Sequence, residues 1–187
     1  HTHLSPEELE KLETLQLKGR YTKYQKTLDA FLFCCYAGMR YSDFVNMKPD
    51  NIVEMHQETW LIYKSIKTGT EVRLPLYLLF SGKGILILNK YQANLQDFFH
   101  LRDNSNVNKE LIIIARLAGV AKKVSFHTAR HTNATLLIYN GVNITTVQKL
   151  LGHKSVKTTQ IYTNVMDATI ISDLEKNHSS VHRKKGK

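Results

Sequence analysis

The sequence predicts an α+β fold that is mainly α-helical, with one small three-stranded antiparallel sheet set among the helices. Three observations carry that expectation. Apolar residues recur every three or four positions through most of the chain, the period of a helix with one buried face. Between residues 51 and 76 that period gives way to short runs rich in β-branched and aromatic residues, with approximate alternation. Glycines then bracket the helical stretches where left-handed C-terminal caps belong. With 187 residues, 42% hydrophobic and 22% charged, the chain is long and apolar enough to bury one core.

Taken in order, Ser5-Pro6-Glu7-Glu8 is a helix start. Ser5 caps, Pro6 suits the first turn, and Glu8 completes a capping box, with the helix stopping before Gly19. A second helix is expected from about Thr22 through Leu28, Phe31, Leu32 and Cys35 to Gly38. Ser42 is placed to cap a short helix that Pro49 closes. Strands are expected over 51–54, 59–65 and 71–76, with Lys67-Thr68-Gly69-Thr70 turning between the last two. Gly82 and Gly84 interrupt the apolar run from Leu76 to Leu88 and weaken the case for a helix there. Further helices are expected over 106–118, 126–140 and 144–151, ending at Gly119, Gly141 and Gly152. Ser155 caps a short segment reaching Tyr162, and a last helix covers 166–176. Residues 1–177 therefore read as one domain without internal repeats, and 178–187 as a polar, basic, disordered tail.

No apolar run approaches the roughly 18 residues of a membrane span, and the start lacks the apolar segment of a secretory signal. A membrane protein is excluded. Cys34 and Cys35 are the only cysteines. Neighbouring cysteines almost never bridge each other, so there is no disulfide framework, a reducing compartment is implied, and zinc ribbons are excluded. The charge is unevenly spread: residues 1–100 carry 12 basic and 11 acidic side chains, residues 101–187 carry 14 and 5. A polyanion, above all a nucleic acid, would be met by the second half. The plainer account is a solubilising surface with a basic tail, since Arg183, Lys184, Lys185 and Lys187 lie at the end.

His127-Thr128-Ala129-Arg130-His131 sits near the start of a helix. His127 and Arg130 project from one face within about 4.5 Å of axial rise. A phosphate there would meet a guanidinium fork, an imidazole and helix-start amides together. His127 and His131 at i and i+4 would also suit zinc, but Thr128 stands where a HExxH metalloprotease has its glutamate. A purely structural role stays open. Locally, Tyr162 reads as a packing tyrosine, Arg40 as the partner of Asp43, and Lys67 as a solvated turn lysine.

The order of these motifs is more specific than any one of them. The chain reads Ala37-Gly38-Met39-Arg40-Tyr41-Ser42-Asp43, then Lys67-Thr68-Gly69 in a hairpin, then His127-Thr128-Ala129-Arg130-His131-Thr132. Leu151-Gly152-His153 and Ile161-Tyr162 follow. This resembles the catalytic domain of the tyrosine recombinases, the phage-integrase and Xer-like family, from Leu4-Ser5-Pro6-Glu7-Glu8-Leu9 to just past Tyr162.

The resemblance implies cleavage of one strand of double-stranded DNA by a tyrosine, giving a 3′-phosphotyrosine and a free 5′-hydroxyl without metal, cofactor or ATP. Tyr162 matches the nucleophile. Arg40 and Arg130 match the pair that grips the scissile phosphate. His127 matches the residue assisting proton transfer, and His153 the one hydrogen-bonding the phosphate. Lys67 matches the hairpin lysine that protonates the leaving oxygen. Asp43 matches an acidic support for an arginine, and His131 a supporting neighbour. Asn133 departs from the pattern, because many members carry an aromatic there. The family's N-terminal DNA-binding domain has no counterpart in this sequence, which implies a catalytic fragment with weak, salt-sensitive DNA binding. In the family the segment after the tyrosine docks on a neighbouring protomer, implying a tetramer on DNA in a full-length protein, within the bacterial cytoplasm.

The leading reading is a site-specific recombinase, the integrase of a mobile element. A Xer-like chromosome-dimer resolving enzyme and a type IB topoisomerase share the chemistry. A DNA-binding module that has lost activity, or a metal-dependent hydrolase built on His127, His131 and His153, are the readings from other classes.

Overall fold

The computed structural model describes residues 2–155 together with 167, 170, 171 and 173–176. Tyr162, the short segment expected to lead to it and the 178–187 tail lie outside the described residues. At 167, 170, 171 and 173–176 the backbone is helical, within the expected last helix.

Over residues 2–155 the chain forms eight α-helices and three strands: α1 (Pro6–Glu13), α2 (Gln25–Ala37), α3 (Tyr41–Phe44), β1 (Ile52–Met55), β2 (Glu58–Lys64), β3 (Glu71–Pro75), α4 (Lys83–Lys90), α5 (Leu95–Phe99), α6 (Asn104–Ala118), α7 (Phe126–Tyr139) and α8 (Ile144–Leu151). The mainly helical α+β class is the one expected. The hub is α2, in which every residue from Thr27 to Ala37 is buried. It packs on α7, α4, α6, α1 and α5. The antiparallel sheet has the order β1-β2-β3, with Leu61 opposite Leu74 and Tyr63 opposite Val72 on its buried face. That face meets α8 through β3.

The Ser5 capping box forms as expected, with Ser5 Oγ accepting from Glu8 N at 3.1 Å and Glu8 Oε1 accepting from Ser5 N at 2.9 Å. Gly38, Gly119 and Gly152 are left-handed caps, while α7 ends one residue early with Asn140 as its cap. Other boundaries are corrected. Residues 19–24 form a 3-10 turn, so α2 begins at Gln25 rather than Thr22, while α1 stops at Glu13, before Gly19 as expected. Ser42 is not a cap: it lies inside α3, which starts from Arg40 and ends at Phe44 before Pro49. α4 forms despite its glycines, because Gly82 stands at its start and Gly84 packs against Phe33. α5 was not expected. At five residues it is too short to show a period, yet it puts Phe98 and Phe99 into the core.

Those two rings surround Phe44. Its ring centroid lies 5.3 Å from Phe98, 5.5 Å from Phe99, 6.1 Å from Phe33 and 6.1 Å from Phe126, the first two edge-on. Edge-to-face packing of buried rings adds to the area they remove from water. Phe44 follows Asp43, and Phe126 precedes His127. One aromatic cluster therefore seats two segments that carry candidate site residues. Cys34 and Cys35 are free and buried in the same core. Among the described residues no helix is long and apolar enough to cross a membrane.

Candidate active site

Four segments converge, and hydrogen bonds tie them into a closed ring. The first is the turn from Gly38 to Asp43 after α2. The second is the first two turns of α7, the third the end of α8, and the fourth the β2–β3 hairpin. Arg130, 3% exposed, joins three of these segments. Its Nη1 donates to the Gly38 carbonyl at 2.7 Å and its Nη2 to the Leu151 carbonyl at 2.8 Å. Thr68 Oγ1 donates to the Gly152 carbonyl at 3.1 Å, linking the hairpin to the end of α8. Asp43 closes the ring: its Oδ1 accepts from Ile66 N at 2.9 Å.

Arg40 sits at the start of α3 with extended backbone angles, which turn its side chain out of the helix. Its Nη1 lies 3.4 Å from Ser65 Oγ and 3.9 Å from Asp43 Oδ2. That carboxylate oxygen is buried and makes no hydrogen bond among the described residues, so the neighbouring guanidinium is what offsets its charge. Asp43 is thus the carboxylate that Arg40 faces. Lys67 is exposed on the hairpin turn, which Ser65 N to Thr70 O and Gly69 N to Ser65 O bonds, both 2.8 Å, hold tight.

The electrostatics report the same convergence. Partial burial, then the charges of Arg130, Arg40 and Lys67, lower the pKa of His153 to about 4. His127 is lowered by the same causes in the same order. His131 packs edge-on against His127, ring centroids 4.4 Å apart. Burial and then the His127 charge take it to about 4. Three cations drawn from three segments therefore act on both His127 and His153. A positive, partly desolvated pocket with neutral imidazoles is suited to holding a phosphate oxygen and accepting a proton near it. Among the described residues no three His, Cys, Asp or Glu side chains are grouped as metal ligands would be, and His127, His131 and His153 do not form such a set.

The structure thus brings together Arg40, Asp43, Lys67, His127, Arg130, His131 and His153, whereas Tyr162 lies outside the described residues. Tyr63 is near the cluster but is 4% exposed, and burial followed by the Asp43 charge pushes its phenol well above the usual range. It is a wall of the site. Sequence reasoning assigned no role to Ser65 and read Gly152 as a helix cap, without showing that its carbonyl ties the hairpin to α8. Thr68 was legible only as part of the Lys67-Thr68-Gly69 turn, since its partner is 84 residues away.

A helical domain with a three-stranded antiparallel sheet and a pocket where arginines and histidines converge defines the class. The chain matches the model of the phage integrase family over residues 3–169, and it belongs to that family. Tyrosine recombinase XerD of Lacticaseibacillus casei is 29% identical over 180 residues, covering 89% of this chain and 60% of that protein. Tyrosine recombinase XerC of Rickettsia bellii (strain OSU 85-389) is 31% identical over 163 residues, covering 82% and 50%. Of solved structures, XerA recombinase aligns with a TM-score of 0.71 and 25% identity over 95% of this chain and 66% of that one. A lambda integrase (75-356) dimer bound to a COC′ core site aligns with a TM-score of 0.65 at 20% identity, over 86% and 58%, a likeness of fold. The chain spans no more than 60% of the length of these two curated relatives.

Proposed function

We propose that this chain is the catalytic domain, over residues 1–177, of a site-specific DNA recombinase that acts through a 3′-phosphotyrosine. Residues 178–187 form its basic tail. The observation that carries the reading is the closed ring, which brings cationic groups from three segments around two neutral imidazoles.

The chemistry follows from those groups. The phenol of Tyr162, with a pKa near 10, is only about one part in a thousand ionised at neutral pH. His127, held neutral, takes its proton as the tyrosine oxygen bonds to phosphorus. The bond from phosphorus to the 5′-oxygen breaks, and Lys67 gives that oxygen a proton. Arg40 and Arg130 offset the charge that builds on the non-bridging oxygens, and His153 hydrogen-bonds one of them. Because the phosphodiester energy is kept in the tyrosyl ester, a different 5′-hydroxyl reverses the step and joins new strands. The partner is double-stranded DNA, the full-length protein works as a tetramer on it, and the setting is the bacterial cytoplasm. Its leading role is integration or excision of a mobile element. A Xer-like role is the second reading, favoured by the names of the curated relatives.

The test is capture on nicked duplexes of randomised sequence. The expected result is a denaturant-resistant adduct through the DNA 3′ phosphate that forms equally in EDTA and falls at least about a thousand-fold in Tyr162→Phe. Undiminished adduct from that variant would overturn the assignment. Sequencing the captured DNA separates an element end from a single chromosomal site, and relaxation of plasmid of any sequence would point to a type IB topoisomerase.

A further inference from the structure

We propose that Asn133 is a positioning residue that sets the spacing between Arg40 and Arg130. The proposal rests on reading those two arginines as the phosphate clamp. At the end of α2 the last carbonyls of the helix have no partner within it. Gly38 N reaches back to Cys34 O at 2.7 Å, which accounts for one of them. Asn133 Nδ2 donates to Cys35 O at 2.9 Å and to Tyr36 O at 3.1 Å. Arg130 then takes the Gly38 carbonyl. Arg130 and Asn133 are three apart on α7, so one face of that helix supplies donors to three carbonyls within four residues of α2 and its cap.

The other half of the amide fixes the approach. Asn133 is 2% exposed, and a Cβ added to Gly38 would lie 2.7 Å from its Oδ1 and 3.0 Å from its Cγ. Gly38 also has φ +72°, so no larger residue suits it. The amide therefore fills the space beside the left-handed turn, and the next residue, Met39, is fully buried. Arg40 emerges immediately afterwards. A slide of α7 along α2 would break both amide bonds and carry Arg130 away from Arg40. An aliphatic side chain of similar size would fill the space, but it would remove the two amide bonds that brace the Arg130–Gly38 bond and so loosen the register between the two arginines.

The experiment compares the parent chain with Asn133→Leu on a captured nicked duplex, made once with the normal phosphodiester and once with an uncharged methylphosphonate at the scissile position. The expected result is adduct formation slowed about 10–100-fold on the phosphodiester, with duplex affinity within about twofold. On the methylphosphonate, which has no anionic oxygen for the guanidiniums to offset, parent and variant should react at equal rates. A merely structural role slows both linkages alike, and that result overturns the proposal. Unchanged cleavage of the phosphodiester overturns it too. Asn133→Ala, which removes the donor without adding bulk, carries the same comparison if Asn133→Leu does not fold. A parent chain that forms no adduct removes the clamp reading and this proposal with it, an outcome distinct from variants that behave like an active parent.

Discussion

Arg130 shows how one residue can tie separate segments together at a candidate site. Its guanidinium is buried, and two of its N–H groups bind carbonyls from segments far apart in sequence, which fixes the plane of the fork. A lysine would keep the charge but could not span both carbonyls. The histidines show the opposite balance, since burial and nearby cations keep them neutral. In the unfolded chain these imidazoles take up protons near pH 6.5, whereas folded His131 and His153 do so only near 4. Between those values the unfolded state binds more protons, so stability falls as pH falls through that window. Thermal unfolding without DNA should therefore show Tm lower at pH 5 than at pH 7 by about 2–8 °C, with a shallower slope in His131→Gln. A flat profile would mean that these imidazoles are not held neutral by the fold.

At the scale of elements, the end of α8 is the joint on which the site turns. Gly152 has φ +70°, and a Cβ there would lie 2.7 Å from Val72 Cγ2 on β3. Its carbonyl accepts from Thr68, and the preceding one accepts from Arg130. Gly152→Ala should lower stability by about 1–3 kcal/mol in urea titration and slow adduct formation more than that loss explains, because His153 moves with the turn. Unchanged cleavage in a folded Gly152→Ala would show that β3 yields instead of the turn. The strands were legible because alternation shows within four residues, and the long helices because eight or more residues carry their period. α5 and the start of α3 were not. Ser42 has the chemistry of a cap, but the ties from Arg40 and Asp43 to the hairpin begin the helix one residue before it. Local capping preference lost to a tertiary contact.

For the whole molecule, the charge is arranged less simply than its two halves suggest. Residues 101–187 hold most of the excess, yet Arg40 and Lys67 come from the nearly neutral first half and meet Arg130 only through folding. Affinity for duplex DNA should fall steeply as salt rises. Removing residues 178–187, with Arg183, Lys184, Lys185 and Lys187, should flatten the log–log slope by up to about 3–4. An unchanged slope would mean that the tail cations do not meet phosphate. The sequence by itself determined the fold class and most element types, through hydrophobic period and capping chemistry, and it nominated the residues of the candidate site through the order of its motifs. It also marked Asn133 as unusual without showing its use. Only the tertiary structure decided which donor meets which carbonyl, because Arg130 and Gly38 are 92 residues apart and Asn133 and Cys35 are 98. Local periodicity encodes which face of a helix is buried, whereas such pairings depend on how two buried faces come into register across the core.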